Sequence, residues 1–233
     1  MLDFQVIASG SRGNAYLVTD GRTPLLLEAG LKARTLRKRG VQLSQVEGCL
    51  VTHEHQDHAS GVVDLLKASV DVYLSQGTID TLRVAGHRIH PVKARVQFSI
   101  GTWTIMPFDV PHDAEEPLGF LLTNQVKEKL LFVTDAHYVP YRFQGLTHVA
   151  IEANFDPEIL KRNVELGALH PEVGKRLWSR HMSIETVKRF CQANDLSQVE
   201  QIFILHLSDG NSDAASFQNQ IESLTGIPVT IAG

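Results

Sequence analysis

The stretch Thr52-His53-Glu54-His55-Gln56-Asp57-His58 places three histidines and an aspartate within six residues. Imidazole and carboxylate form the ligand set of Zn²⁺ and its neighbours, and a short His-rich tract of this regularity reads as metal-binding rather than as a titrating polar turn. Where the chain is extended, residues two apart face the same way, so His53 and His55 aim together. Asp57 and His58 follow the bend and aim elsewhere. That division suits two adjacent cations better than one.

The elements around the tract explain how it is held. Gly48-Cys49-Leu50-Val51 is an apolar run that predicts a short buried strand, and the pattern over 62–67 predicts a helix. The tract therefore occupies a strand-to-helix turn. Upstream, strands are expected over 4–8, 15–18 and 24–28, with Asp20-Gly21 as a hairpin turn. Residues 31–39 read as a helix with five basic residues in nine, ended by Gly40. Downstream, strands are expected over 70–74, 95–100, 102–108, 119–123, 129–133, 147–151, 201–205 and 229–231. Helices are expected over 77–85, from Pro157 behind an Asp156 cap, over 184–191 behind a Ser183 cap, and over 213–224. His87 and His90 fall in a loop with Pro91 and read as surface or supporting histidines. Three strand ends carry further ligand-type residues: His112 in Pro111-His112-Asp113-Ala114, Asp135 after 129–133, and His206 after 201–205.

Totals bound the reading. The chain has 233 residues, 43% hydrophobic, enough for one large domain with a buried core, and a formal net charge of −4. A globally basic nucleic-acid binder is excluded by that charge, although a local basic patch is not. The two cysteines, Cys49 and Cys191, sit far apart in apolar segments, which predicts buried free thiols and a reducing compartment. No basic-then-apolar leader and no membrane-length apolar run is present, so a cytoplasmic protein without a membrane partner is expected.

The tract resembles the HxHxDH motif of the metallo-β-lactamase superfamily. The resemblance extends, in family order, through the Gly10-Ser11-Arg12-Gly13-Asn14 loop, PHDA (111–114), VTDA (133–136), EANF (152–155), RHMS (180–183) and LHLSDGN (205–211). The loop and the last three elements resemble its YycJ/WalJ-type nuclease-like branch. This implies one domain over 1–233 with an α/β fold, a four-layered αβ/βα sandwich. It implies two divalent cations, Zn with Mn or Fe as variants: His53, His55 and His112 on one, Asp57, His58 and His206 on the other, Asp135 bridging. Asp57, His181 and Glu152 become the catalytic candidates, and Ser11, Asn14, Arg180 and Ser208 the substrate contacts. The implied activity is metal-dependent hydrolysis, with nucleic acid as the favoured substrate and DNA exonuclease action among its forms. Small carbonyl substrates (lactam, lactone or thioester) are the alternative, and a non-catalytic binding protein is the third reading. Homo-oligomerisation is compatible with all three. Two departures stand out: Asn211-Ser212 where the branch often has two asparagines, and His137, which matches no family role.

Overall fold

A computed structural model describes residues 1–232. Their contacts gather into two compact units, one of Met1–Asp109 with Ala114–Glu128, the other of Val110–Asp113 with the chain from Lys129 on.

In the first unit, β1 (Asp3–Ala8), β2 (Ala15–Thr19) and β3 (Leu25–Leu27) pair antiparallel. The hairpin turn forms as expected: the Asp20 carboxylate accepts from the amides of Arg22 and Thr23, and Gly21 takes φ +86°. Helix α1 (Ala33–Lys38) is shorter than the 31–39 pattern suggested. It buries Ala33 and Leu36 and leaves Arg34, Arg37 and Lys38 exposed. Strand β4 (Gly48–Leu50), helices α2 (Gln56–Ala59) and α3 (Val62–Lys67), strand β5 (Val72–Leu74), helix α4 (Gln76–Leu82) and strand β6 (Ile89–Pro91) follow. β3 to β6 are parallel neighbours, completing the order β1-β2-β3-β4-β5-β6. β3 and β4 are buried along their whole length, which is why they read as unbroken apolar runs and not as alternation. Leu26, Leu36, Val51 and Leu65 close the core over this sheet, each burial contributing roughly 1.5–3 kcal/mol. β6 corrects the expectation of a loop around His90. A strand of three residues ending in proline shows no periodicity, yet at the sheet's edge Pro91 removes no ladder bond that matters. His90 stacks on Tyr73 and pairs with Asp71 at 3.0 Å.

The first unit also holds the antiparallel strands β7 (Phe98–Ile100), β8 (Trp103–Asp109) and β9 (Leu118–Thr123). Fully buried Trp103 satisfies its indole by donating to the Thr23 carbonyl at 2.8 Å.

In the second unit, β10 (Lys129–Val133), β11 (His148–Glu152), β12 (Gln201–Leu205) and β13 (Val229–Ile231) are parallel in that order. Helices α5 (Pro157–Glu165), α6 (Pro171–Arg180), α7 (Ile184–Ala193) and α8 (Ala214–Thr225) cross between them. The Asp156 and Ser183 caps form as expected, accepting from Glu158 and Ile159 and from Thr186 respectively. Helix α6 was not foreseen. Its cap is the uncommon His170, which accepts from the Glu172 amide, and only Gly174 of its ten residues is buried. Among the described residues no helix is long and apolar enough to cross a membrane.

Candidate metal centre

Each unit carries its own cluster of ligand-type side chains, and both clusters sit where parallel strands end. That edge is where open α/β sheets present their ligands.

In the first unit, β4 delivers Thr52 and His53, and α2 delivers Asp57 and His58. The Thr52 hydroxyl lies 2.8 Å from His53 Nδ1, which turns His53 Nε2 toward His55 Nδ1 at 3.1 Å. The His53 ring lies 4.6 Å from that of His55 and 4.3 Å from that of His58. His58 is fully buried, its Nε2 3.4 Å from the Asp57 carboxylate. Three imidazoles converging beside one carboxylate form a donor set that a divalent cation satisfies.

The support for this cluster was largely invisible in sequence. Glu28 ends β3 fully buried, in the left-handed region (φ 69°). It accepts from the Thr52 amide at 3.3 Å and lies 3.6 Å from His58 Nδ1. Its one signal was a lone charge after the apolar Leu25-Leu26-Leu27. Asn14 is fully buried: its amide donates to the Asp57 carbonyl at 2.7 Å and its Nδ2 lies 3.1 Å from His58 Nε2. Ser11, on the same loop, is exposed. Two glycines let the backbones meet. A Cβ on Gly30 would fall 1.8 Å from the Asp57 carbonyl oxygen, and one on Gly61 2.1 Å from that of Leu31.

In the second unit, Val133, Ile151 and Ile204 are in register across β10, β11 and β12, so Asp135, Glu152 and His206 emerge at one end. Asp135 (φ 47°) and His206 (φ 53°) both take left-handed backbone, a strain of about 1–3 kcal/mol each that accumulates at functional sites. His206 Nδ1 lies 3.4 Å from both the Asp135 and Glu152 carboxylates, and Asn154 donates to the His206 carbonyl at 2.8 Å. Asn154 belongs to the EANF element but had no expected role. His112 Nδ1 donates to the Arg180 carbonyl at 3.2 Å, which directs Nε2 toward the Asp135 carboxylate, 3.8 Å away. A carbonyl partner of this kind fixes the tautomer of a metal-binding histidine. The Arg180 guanidinium is held by Asp113 at 2.6 Å, and the Ser208 hydroxyl accepts from Asn211 at 3.1 Å.

His181 caps the end of α6 and joins the same group: ligand atoms of Asp135, Glu152, His181 and His206 all lie within 4.8 Å of one another. Its ring stacks on that of His206 at 5.5 Å, and its Nδ1 lies 2.5 Å from Glu152 Oε1. The other Glu152 oxygen accepts from the amides of Ala136 and Met182. Burial pushes the Glu152 carboxyl up, but the His181 charge and the hydrogen bonds from His181 and His206 outweigh it and leave the group below its ordinary range. Burial works against the His181 imidazolium too. There the Glu152 charge and hydrogen bond prevail, and the imidazole is raised.

The donors in both clusters are imidazole and carboxylate, which fits Zn, Mn or Fe. Thiolates take no part. Burial raises the Cys191 thiol to about 11 and that of Cys49 well above its usual value.

Comparison with known proteins gives one consistent answer. Residues 23–206 match the family model of the beta-lactamase superfamily domain. The chain is 30% identical to exodeoxyribonuclease YycJ of Bacillus anthracis over 228 residues, 91% of this chain and 84% of that one. It is 28% identical to exodeoxyribonuclease WalJ of Streptococcus pneumoniae over 225 residues, 90% of this chain and 82% of that one. Among solved structures it superposes on the metallo-β-lactamase fold protein YhfI of Bacillus subtilis with a TM-score of 0.74 at 14% identity, covering 100% of this chain and 97% of that one.

Proposed function

Since the chain belongs to the metallo-β-lactamase superfamily of hydrolases, we propose that it cleaves phosphodiester bonds in nucleic acid, in the manner of a DNA exonuclease. The substrate class is supported by the YycJ and WalJ names of its relatives. The observation that carries the reading is the Glu152–His181 pair, set among the same side chains as Asp135 and His206.

In this reading His53, His55 and His112 would hold one divalent cation, Asp57, His58 and His206 would hold a second, and Asp135 would serve as a ligand to both. Bound there, two cations supply Lewis acidity for in-line attack of water on a phosphodiester. The chain's own residues do the rest. Asp57 orients the attacking water. Glu152 fixes the His181 ring by its Nδ1, which leaves the opposite edge, Nε2, for the substrate. His181, whose pKa the Glu152 charge and hydrogen bond raise, gives its Nε2 proton to the departing oxygen. Ser11, Arg180 and Ser208 are the substrate contacts; Asn14, expected among them, is fully buried and braces His58 instead. This reading takes residues 1–233 as one domain acting in the cytoplasm.

The test is degradation of end-labelled DNA and RNA by purified, metal-loaded protein, run beside nitrocefin and a lactone. His181→Ala should retain fold and metal while lowering kcat by about 10²–10⁴. A nitrophenyl phosphodiester, with its better leaving group, should recover part of that loss. Turnover of the lactam or lactone without cleavage of nucleic acid would replace this reading with the small-carbonyl one.

A further inference from the structure

The second unit contains a cavity of about 620 Å³, and His181 is part of its wall. Its size lies within the roughly 300–1,000 Å³ of pockets that enclose small ligands. Two features of the wall bear on what it holds. The first is aromatic surface. Trp178, in the last turn of α6, is 51% exposed and leans on buried Phe155 with ring centroids 5.5 Å apart. Tyr138 and Tyr141, from the segment after Asp135, add two further rings. The second feature is charge. Arg142 and Arg189 are exposed on the wall, and neither has a carboxylate partner among the described residues. Among the described residues no aspartate or glutamate lines the cavity, although acids outnumber Lys and Arg in the chain by 26 to 22. His137, the residue with no family role, also lines the wall, with its Nδ1 buried.

An inorganic anion would use the arginines and leave the rings idle. A plain apolar ligand would do the reverse. A nucleotide uses both, because every base offers a face for stacking and every phosphate a charge for guanidinium. We propose that this cavity seats one nucleotide of the strand being cut, its base against the Trp178, Tyr138 and Tyr141 rings and its phosphate on Arg142 and Arg189. The inference rests on the nuclease reading, since the wall shared with His181 is what makes a nucleotide pocket a subsite for the reaction.

Metal-loaded protein is titrated with dAMP, with deoxyribose 5-phosphate and with inorganic phosphate, followed by tryptophan emission and calorimetry. The emission reports on the cavity because the other tryptophan, Trp103, is fully buried in the first unit. The comparison of dAMP with its base-less counterpart cancels whatever the phosphate gains at bound metal. We expect dAMP to bind about tenfold or more tighter than the sugar phosphate, the worth of one stacked base. Trp178→Ala should remove most of that preference, and Trp178→Phe should keep most of it. Arg142→Ala with Arg189→Ala should weaken dAMP and the sugar phosphate alike. Equal affinity for the two ligands, or a preference untouched by Trp178→Ala, overturns the assignment. Should the wild type degrade DNA while Trp178→Ala keeps its kcat/KM, the cavity assignment falls and the nuclease reading stands. Should dAMP bind as expected while no nucleic acid is degraded, the nuclease reading falls and the cavity remains a nucleotide site.

Discussion

The two ligand clusters reach similar chemistry by different means. In the first unit the donors are mostly imidazoles, contributed by neighbouring residues on one turn, and they are positioned by packing. Glycines at 30 and 61 let backbones touch, and Glu28 and Asn14 spend buried polar groups on the turn. In the second unit the donors come from separate strand ends, two carboxylates lie among them, and the backbone itself is bent into unfavourable dihedrals at Asp135 and His206. The first cluster offers cation ligands, with Asp57 proposed also to orient the water. The second contains a buried acid locked to an imidazole, which can move a proton. Binding and proton handling are thus divided unequally, and that division can be attacked experimentally.

The largest effect should come from Asp135→Ala. As the residue assigned to both cations, it should take bound metal from about two equivalents to below one. His53→Ala and His206→Ala, each assigned to one cation, should retain about one. Elemental analysis of protein purified without chelator decides it, and equal losses from all three would remove Asp135 from its special place.

Next in size is the proton. Glu152 raises the His181 pKa, so the acid form is present at low pH and disappears only as pH climbs through that raised value. Activity should therefore fall on the alkaline side. Glu152→Gln removes the charge, should cost about 10- to 100-fold in kcat, and should move the alkaline limb to lower pH. A limb that stays put rules out His181 as the proton source.

The smallest effect tests the packing of the first cluster. Gly30→Ala would drive a methyl into the Asp57 carbonyl and should destabilise by about 1–3 kcal/mol, with a parallel loss of metal affinity. Gly210→Ala, where nothing lies within 4 Å of the added carbon, should stay within about 0.5 kcal/mol of the parent in thermal melts. Similar melts for the two variants would mean that the turn has slack.

The same contrast explains what could be read from the sequence alone. The first cluster was legible because its donors fall in one short tract, where spacing alone carries geometry. His112, Asp135 and His206 are lone polar residues at strand ends, common in any α/β chain. Only their order beside the tract, through the family resemblance, marked them. Glu28 and Asn154 went unseen in their roles because a single polar residue after an apolar run says nothing of what it faces. Most strands announced themselves as apolar runs bounded by turns. Helix α6 and strand β6 did not: α6 is capped by histidine and has almost no apolar stripe, and β6 is three residues ending in proline.

The left-handed backbone at Asp135 and His206 bears on how such a site is inherited. A lineage that lost the reaction would have every incentive to exchange these residues for glycine or asparagine, which rest easily in that conformation. The strain they carry is tolerated at the end of the sheet where the ligand-type side chains gather. Metal-free Asp135→Gly should accordingly melt above the metal-free parent; a lower melting temperature would mean that the carboxylate earns its keep structurally even without a cation.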